Sequence, residues 1–372
     1  MARKLHLSIA DQSPVRQGGT AAQALHETVA LAEAAEALGY ERFWVAEHHN
    51  LPGFAGTSPE ILVGQIAART KTIRVGSGGV MLSHYSALKV AENFRVLESF
   101  YPGRIDLGLG RAPGSDQRTA AALSYPGRPR DIRYYPEQVD DLITYLADDL
   151  PADHRFADVH AGPTAGTMPE VWLLGSGIDS AHIAAERGLP FSYAYFFGVG
   201  VEHGPPIVES YRQHFRPSEF LTEPKVNVTI QVLCAETEEE ARHLAASRNL
   251  VRLNTVRGRR RGVATPEEAL AYPYSQDELA YLERIYERGA GEYLDVQAAN
   301  AFGLEYPPDA PPDRDVLNFR RVEFLRELMI EFGLSGKPIW FNEYGWNASP
   351  ADMSPTKLVW RRVPEEQQAR WS

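Results

Sequence analysis

Cysteine is almost absent: the 372 residues hold one, Cys234. An intrachain disulfide framework and any multi-cysteine metal site are thereby excluded. Cys234 ends the apolar run at 226–233, where it reads as a buried structural thiol. No apolar run reaches the length that spans a bilayer. The opening MARKLHLSIADQ is too polar, and its apolar stretch too short, for a signal h-region. A cytoplasmic protein with no membrane partner is therefore expected. Positive charge is in deficit, with 38 Lys and Arg against 49 Asp and Glu and a formal net charge of −11. Nucleic acids are gripped by clustered basic residues, so no nucleic-acid partner is expected. The one dense basic run, RGRRR at 257–261, reads as a solvated loop.

The chain has instead a regular alternation of apolar strands and amphipathic helices. A strand at 5–10 ends in polar DQSP. A helix opens near Thr20, carries Leu25, Val29, Ala32 and Ala35 at helical spacing, and stops at Leu38-Gly39. The strand at 43–46 runs into Glu47-His48-His49-Asn50. Ser58 and Pro59 start a helix over 60–70, a strand with an internal Ser-Gly-Gly occupies 73–81, and Ser86 caps a helix through Phe94 to Phe100. The strand at 105–109 closes on Gly110-Arg111-Ala112-Pro113-Gly114. Polar or glycine-rich residues at each strand's C-terminal end predict an α/β fold, a (β/α)8 TIM barrel with its functional loops on one face. A doubly wound sheet is the alternative, but it places its glycine fingerprint after the first strand. An insertion at 111–168 holds one amphipathic helix over 136–147. Strands then follow at 171–174, 189–195 and 226–234, and Thr237 opens the next helix.

The most informative segment is 171–196. Its apolar strand leads into Gly175-Ser176-Gly177 and a helix opening at Asp179-Ser180. The glycines allow a tight turn, while Ser176 and Ser180 place hydroxyls beside unpaired helix N–H groups. Those donors and the positive end of the helix dipole suit an anion of phosphate size. An ordinary βα turn with a serine cap fits the same residues.

Four motifs in order carry a family resemblance: FWVAEHHN at 43–50, VGSGGVMLSHYSALKVAE at 75–92, PGRIDLGLGRAPG at 102–114 and LLGSGIDSAHIAAERGLPFSYA at 173–194. Through them residues 1 to about 280 resemble the luciferase-like flavin monooxygenases. The resemblance implies a (β/α)8 barrel, commonly a homodimer, that uses reduced FMN or a deazaflavin to activate oxygen or transfer hydride. It also implies a small-molecule substrate and a flavin reductase as supplier. His48 matches the active-site histidine, suited by its near-neutral pKa to move protons. Without the family, His48 and His49 could simply hydrogen-bond at a strand end. Glu47 is expected to orient a neighbour by fixing an imidazole tautomer. Gly78 and Gly79 match a bulge, often with a non-proline cis peptide, against the flavin ring. Arg111 matches a phosphate-contacting arginine, and Ser176, Gly177 and Ser180 match the phosphate-binding turn. Asp11 and Gln12 are lesser candidates for ring or substrate contact. No metal is expected, since His84 and His182 lack ligand spacing with carboxylates.

From about 281 the pattern changes. IWFNEYGW at 339–346 resembles the late part of a retaining glycoside hydrolase barrel, with Glu343 as nucleophile. Such an enzyme needs a second carboxyl about 5 Å away. In that family it ends strand four, and GLGRAPG offers none at its tip; nothing places Glu47 or Asp116 as substitutes. A helix over 316–332 and a strand over 339–343 imitate the missing eighth unit. The expectation is one barrel over 1–346, with 281–346 as its atypical closing segment, 294–298 as an extra strand or loop, and 347–372 as a peripheral tail. The leading reading is a flavin-dependent oxidoreductase, probed against two alternatives: a glycosidase using Glu343, and a flavin-binding protein without turnover.

Overall fold

Strands form where apolar runs are covered on both faces. The structure is a computed structural model that describes residues 6–16, 18–111, 116–164, 166–197, 204–232, 235, 237–257, 259, 261–279, 297–302 and 339–345. The first half runs β1 (Ser8–Asp11), α1 (Ala21–Ala37), β2 (Arg42–Val45), α2 (Pro59–Arg69), β3 (Arg74–Met81), α3 (Ala87–Phe100) and β4 (Ile105–Gly110). Next come α4 (Gln117–Ser124), α5 (Tyr135–Ala147), β5 (Glu170–Gly175), α6 (Ile178–Glu186), β6 (Phe191–Ala194), α7 (Gly204–His214) and β7 (Val226–Thr229). Strands β1 to β7 lie in that order in one sheet, every neighbouring pair parallel. An order that never reverses is that of a barrel, whereas a doubly wound sheet changes direction at a switch point. The fold is the expected α/β TIM barrel, seven of whose strands are described. No described helix is long and apolar enough to cross a membrane.

Local chemistry explains the boundaries. Thr20 and Gln23 form a capping box at the start of α1, satisfying two orphan donors. Gly39, just past its end, has φ +81°, the left-handed turn that glycine adopts without a Cβ penalty. β2 and β4 are buried at every residue, as parallel strands between layers should be. The insertion differs from expectation in holding two helices. Tyr135, Val139, Leu142 and Leu146 of α5 belong to the barrel core, so α5 serves as the β4-to-β5 crossover and α4 is the added element.

Glu36 near the end of α1 fastens the turn before β3. Its Oε1 accepts the N–H groups of Lys71, Thr72 and Ile73 at 2.8, 2.6 and 3.0 Å. Burial raises the Glu36 carboxyl, but these donors outweigh it and hold the pKa down to about 2. The folded pKa lies below the unfolded one, so the contribution is complete above 4.5 and is lost as pH falls towards about 2. Glu36 is partly solvated, so the expected size is about 1 kcal/mol. Glu36→Gln should flatten the acid side of a plot of urea midpoint against pH; an unchanged slope would contradict this.

At the N-terminal ends of the strands the barrel carries a charged floor. Asp106, fully buried, accepts from Arg42 Nη1 at 2.7 Å and Trp44 Nε1 at 2.9 Å on Oδ2, and from Arg74 Nε at 2.8 Å on Oδ1. Arg42 also pairs with Glu170 at 3.2 Å, and Lys225 binds the other Glu170 oxygen. The guanidinium of Arg42 and the ammonium of Lys225 lie 5.1 and 5.0 Å from the Trp172 ring centroid.

Three expectations change. β7 ends at Thr229, because β6, its ladder partner, stops at Ala194 opposite it; beyond, Ile230 and Val232 are exposed. The strand expected over 339–343 forms, as part of β9 (Ile339–Gly345), once α8 (Glu238–Val256), α9 (Pro266–Leu270) and β8 (Gln297–Phe302) are passed. It does not close the barrel as strand eight: it pairs in parallel with β8 in a separate two-stranded sheet. Contacts divide the chain into units 1–285 and 286–372. Cys234, the helix at 316–332 and the tail at 347–372 lie outside the described residues.

Candidate functional site

The C-terminal ends of β2 to β5 are neighbours in the sheet, so the residues that follow them share one rim. After β5, helix α6 has its N-cap at Gly177, earlier than the expected Asp179-Ser180, and no side chain caps it. Its first N–H groups are left open, and a Cβ at Gly177 would meet nothing within 4 Å. Ser176 is half-buried, whereas Ser180 is buried behind Gly175, whose Cβ would come within 2.5 Å of Ser180 Oγ. Arg111, following β4, reaches this turn and donates from Nη1 to Asp179 Oδ2 at 2.9 Å. The two side chains are 33% and 64% exposed. Such pairs contribute about 0–1 kcal/mol, so Asp179 steadies the guanidinium while an anion at Gly177 could compete for it at small cost. Beside it, Tyr135 is buried with its hydroxyl unpartnered; burial pushes its phenol up, and Arg111 and Arg187 are near enough to oppose that.

Gly78 and Gly79 are joined by a cis peptide bond, and the β3–β4 ladder shifts register between Gly78 and Val80. A Cβ on Gly79 would stand 2.6 Å from the Gly108 carbonyl oxygen, and one on Gly78 would stand 3.1 Å from Trp44 Cβ. Only glycine at 79 lets β3 approach β4 this closely.

After β2 the three polar residues divide their roles. Glu47 is fully buried. Its Oε1 accepts the Tyr85 hydroxyl at 2.7 Å and lies 2.6 Å from His49 Nε2, while Oε2 accepts the Met81 N–H at 2.9 Å. Burial and the adjacent Glu47 push the Tyr85 phenol up, so it stays protonated and donates. Glu47 thus orients His49, leaving His48 to a different environment. The His48 ring stacks on Phe54 with centroids 4.7 Å apart, and its Nδ1 is buried without a partner. Desolvation lowers the His48 pKa against the pull of Glu47, favouring the neutral imidazole.

Asp11 is engaged locally through one carboxylate oxygen. Its Oδ2 accepts from Ser13 N–H at 3.0 Å and Thr28 Oγ1 at 2.6 Å, fixing the start of the following loop. His182 bonds Ser210 Oγ at 2.8 Å. Among the described residues no three His, Cys, Asp or Glu side chains converge as metal ligands. Sequence reasoning missed Tyr85 and Tyr135, which carry no spacing signature. It also missed the clasp in which Asn50 Nδ2 donates to Thr119 Oγ1 of α4 at 2.9 Å.

The profile described as luciferase-like monooxygenase matches residues 5–296. The N-acetyl-S-alkylcysteine monooxygenase of Bacillus subtilis (strain 168) is 41% identical over 268 residues, covering 72% of this chain and 79% of that one. The crystal structure of apo-MsnO8 superposes with a TM-score of 0.67 at 35% identity, covering 76% of this chain and 90% of that one. The oxygenating constituent of 3,6-diketocamphane monooxygenase from the CAM plasmid of Pseudomonas putida, in complex with FMN, shares the fold. Its TM-score is 0.54 at 17% identity, over 76% of this chain and 88% of that one. The glycosidase resemblance gains no support from these comparisons, and Glu343 lies in the separate β8–β9 sheet. The chain belongs to the luciferase-like monooxygenase family.

Proposed function

We propose that the protein is a flavin-dependent monooxygenase using reduced FMN and molecular oxygen on a small organic substrate. The observation that carries this reading is the meeting of Arg111 with the uncapped start of α6 at Gly177. A guanidinium beside open helix N–H groups fits a phosphate. Arg111, Ser176, Gly177 and Ser180 would hold that phosphate, and Gly78 and Gly79 would face the ring. A deazaflavin phosphate would suit the same cradle. When bound, the reduced flavin supplies the electrons that activate oxygen. The protein's own residues bind, orient and handle protons. Neutral His48 can accept a proton at Nδ1, while Glu47, braced by His49, Tyr85 and the Met81 amide, fixes the wall beside it. In this reading reduced flavin comes from a separate reductase. The same reading takes the protein as a homodimer, as the family resemblance implies.

Titration of the protein into FMN should quench flavin fluorescence saturably. Arg111→Ala should weaken that binding by about 10–100-fold, the worth of one or two charge-assisted hydrogen bonds. Absence of binding to FMN, reduced FMN and a deazaflavin alike would sink the proposal.

A further inference from the structure

The loop after β2 returns to its own start: it leaves at His48, whose N–H donates to the Gly56 carbonyl at 2.8 Å. Between those two points it is laced to the loop after β1. Val15 N–H donates to the Gly53 carbonyl at 2.8 Å, Ala55 N–H donates to the Ser13 carbonyl at 2.9 Å, and Pro14 and Phe54 form an antiparallel bridge. Phe54 stands in the middle of this pairing. Its ring stacks on the His48 imidazole with centroids 4.7 Å apart and planes inclined by 26°.

The loop after β1 is fixed from behind in turn. Ser13 is buried at φ 49°, a left-handed conformation that a residue with a side chain keeps only where its surroundings over-determine it. A polar knot does so here. Asp11 Oδ2 accepts the Ser13 N–H at 3.0 Å and the hydroxyl of buried Thr28, on α1, at 2.6 Å, while Ser13 Oγ lies 2.9 Å from Thr28 Oγ1. The knot sets the Ser13 carbonyl, and that carbonyl sets Ala55 and its neighbour Phe54.

We infer that Phe54 is a positioning residue for His48, its ring holding the imidazole in one plane with one face covered, and that the Thr28–Asp11–Ser13 knot holds Phe54 in place. Proton transfer tolerates little misplacement of the group that carries it, and a histidine at the start of a loop has no other clamp of this kind. Burial, to which the Phe54 face contributes, lowers the His48 pKa; Glu47 opposes it and His49 adds to it. The inference deepens the proposed function, and rests on that reading only for the use to which His48 is put.

Magnetic-resonance titration of the flavin-free full chain, isotopically labelled at histidine Cε1, tests it. The His48 and His49 lines are identified by their loss in His48→Gln and His49→Gln. Phe54→Ala should raise the pH midpoint of His48, because water reaches the uncovered face. The midpoint of His49 should stay in place, because that ring is held by Glu47. Phe54→Tyr, which keeps the ring, should restore the parent midpoint of His48. Thr28→Val, which touches neither ring, should move His48 in the same direction by less. An unchanged His48 in Phe54→Ala, joint movement of His48 and His49, or no restoration by Phe54→Tyr would each overturn the role of Phe54. An unmoved His48 in Thr28→Val would overturn that of the knot. Phe54 is half-buried and outside the barrel core, and Phe54→Leu, with the same expected direction, serves if Phe54→Ala does not fold. With no flavin present, these midpoints stand apart from the FMN titration: either can fail alone.

Discussion

Replacing Asp106 with alanine is expected to cost about 3–5 kcal/mol of folding stability. Asp106 has no exposed surface and accepts hydrogen bonds from Arg42, Arg74 and Trp44. Truncation leaves two guanidinium groups inside the barrel with one carboxylate fewer, and the unpaired donor of Trp44 beside a new void. The penalty comes from uncompensated buried charge more than from the attraction lost. Glu170→Gln should cost less, since Glu170 is 29% exposed and water can reach its partners. Urea denaturation of the variants reads the difference through the midpoint at constant slope. An Asp106→Ala midpoint within about 1 kcal/mol of the parent would show that the floor is not a pillar of the fold.

The second large effect concerns turnover. His48→Ala should lower the rate of substrate oxygenation by about 10²–10⁴-fold, the usual contribution of a positioned acid or base. His48 is singled out over His49 by its bonding. The Nε2 of His49 is engaged by Glu47 at 2.6 Å, whereas His48 keeps a buried Nδ1 without a partner and is held towards neutrality by desolvation. The measurement is product formed per reduced flavin oxidised, so that oxygen consumed without product is separated from productive turnover. Flavin titration of the same variant tells loss of chemistry from loss of binding. If His48→Ala turns over like the parent while His49→Ala does not, the acid/base role belongs to the Glu47-bound ring.

The barrel was legible because its signal is periodic and local. Apolar runs of strand length, helical stripes such as Leu25, Val29, Ala32 and Ala35, and the punctuation at Thr20 and Gly39 all act within a few residues. The turn before α6 was legible for the same reason: Gly175-Ser176-Gly177 and the start of the helix are contiguous, whereas Arg111 reaches the turn from the end of β4. What escaped depends on pairing across the chain. Arg42, Asp106, Glu170 and Lys225 are far apart in sequence, and each alone reads as a surface charge until the ladders align them. Residues 339–345 show the same limit. Their composition announces a strand, but its partner is β8, which nothing within 339–345 names. Likewise Glu47 was expected to orient a neighbour, and the imidazole it bonds, His49, is named only by the geometry.

The central claim is that Arg111 and the open start of α6 form a phosphate cradle for a flavin. Parallel fluorescence titrations with FMN and riboflavin, which differ by that phosphate, test it most directly. The account predicts that the parent protein binds FMN at least about tenfold more tightly than riboflavin, and that the gap collapses in Arg111→Ala. Equal affinity of the parent protein for FMN and riboflavin would contradict it.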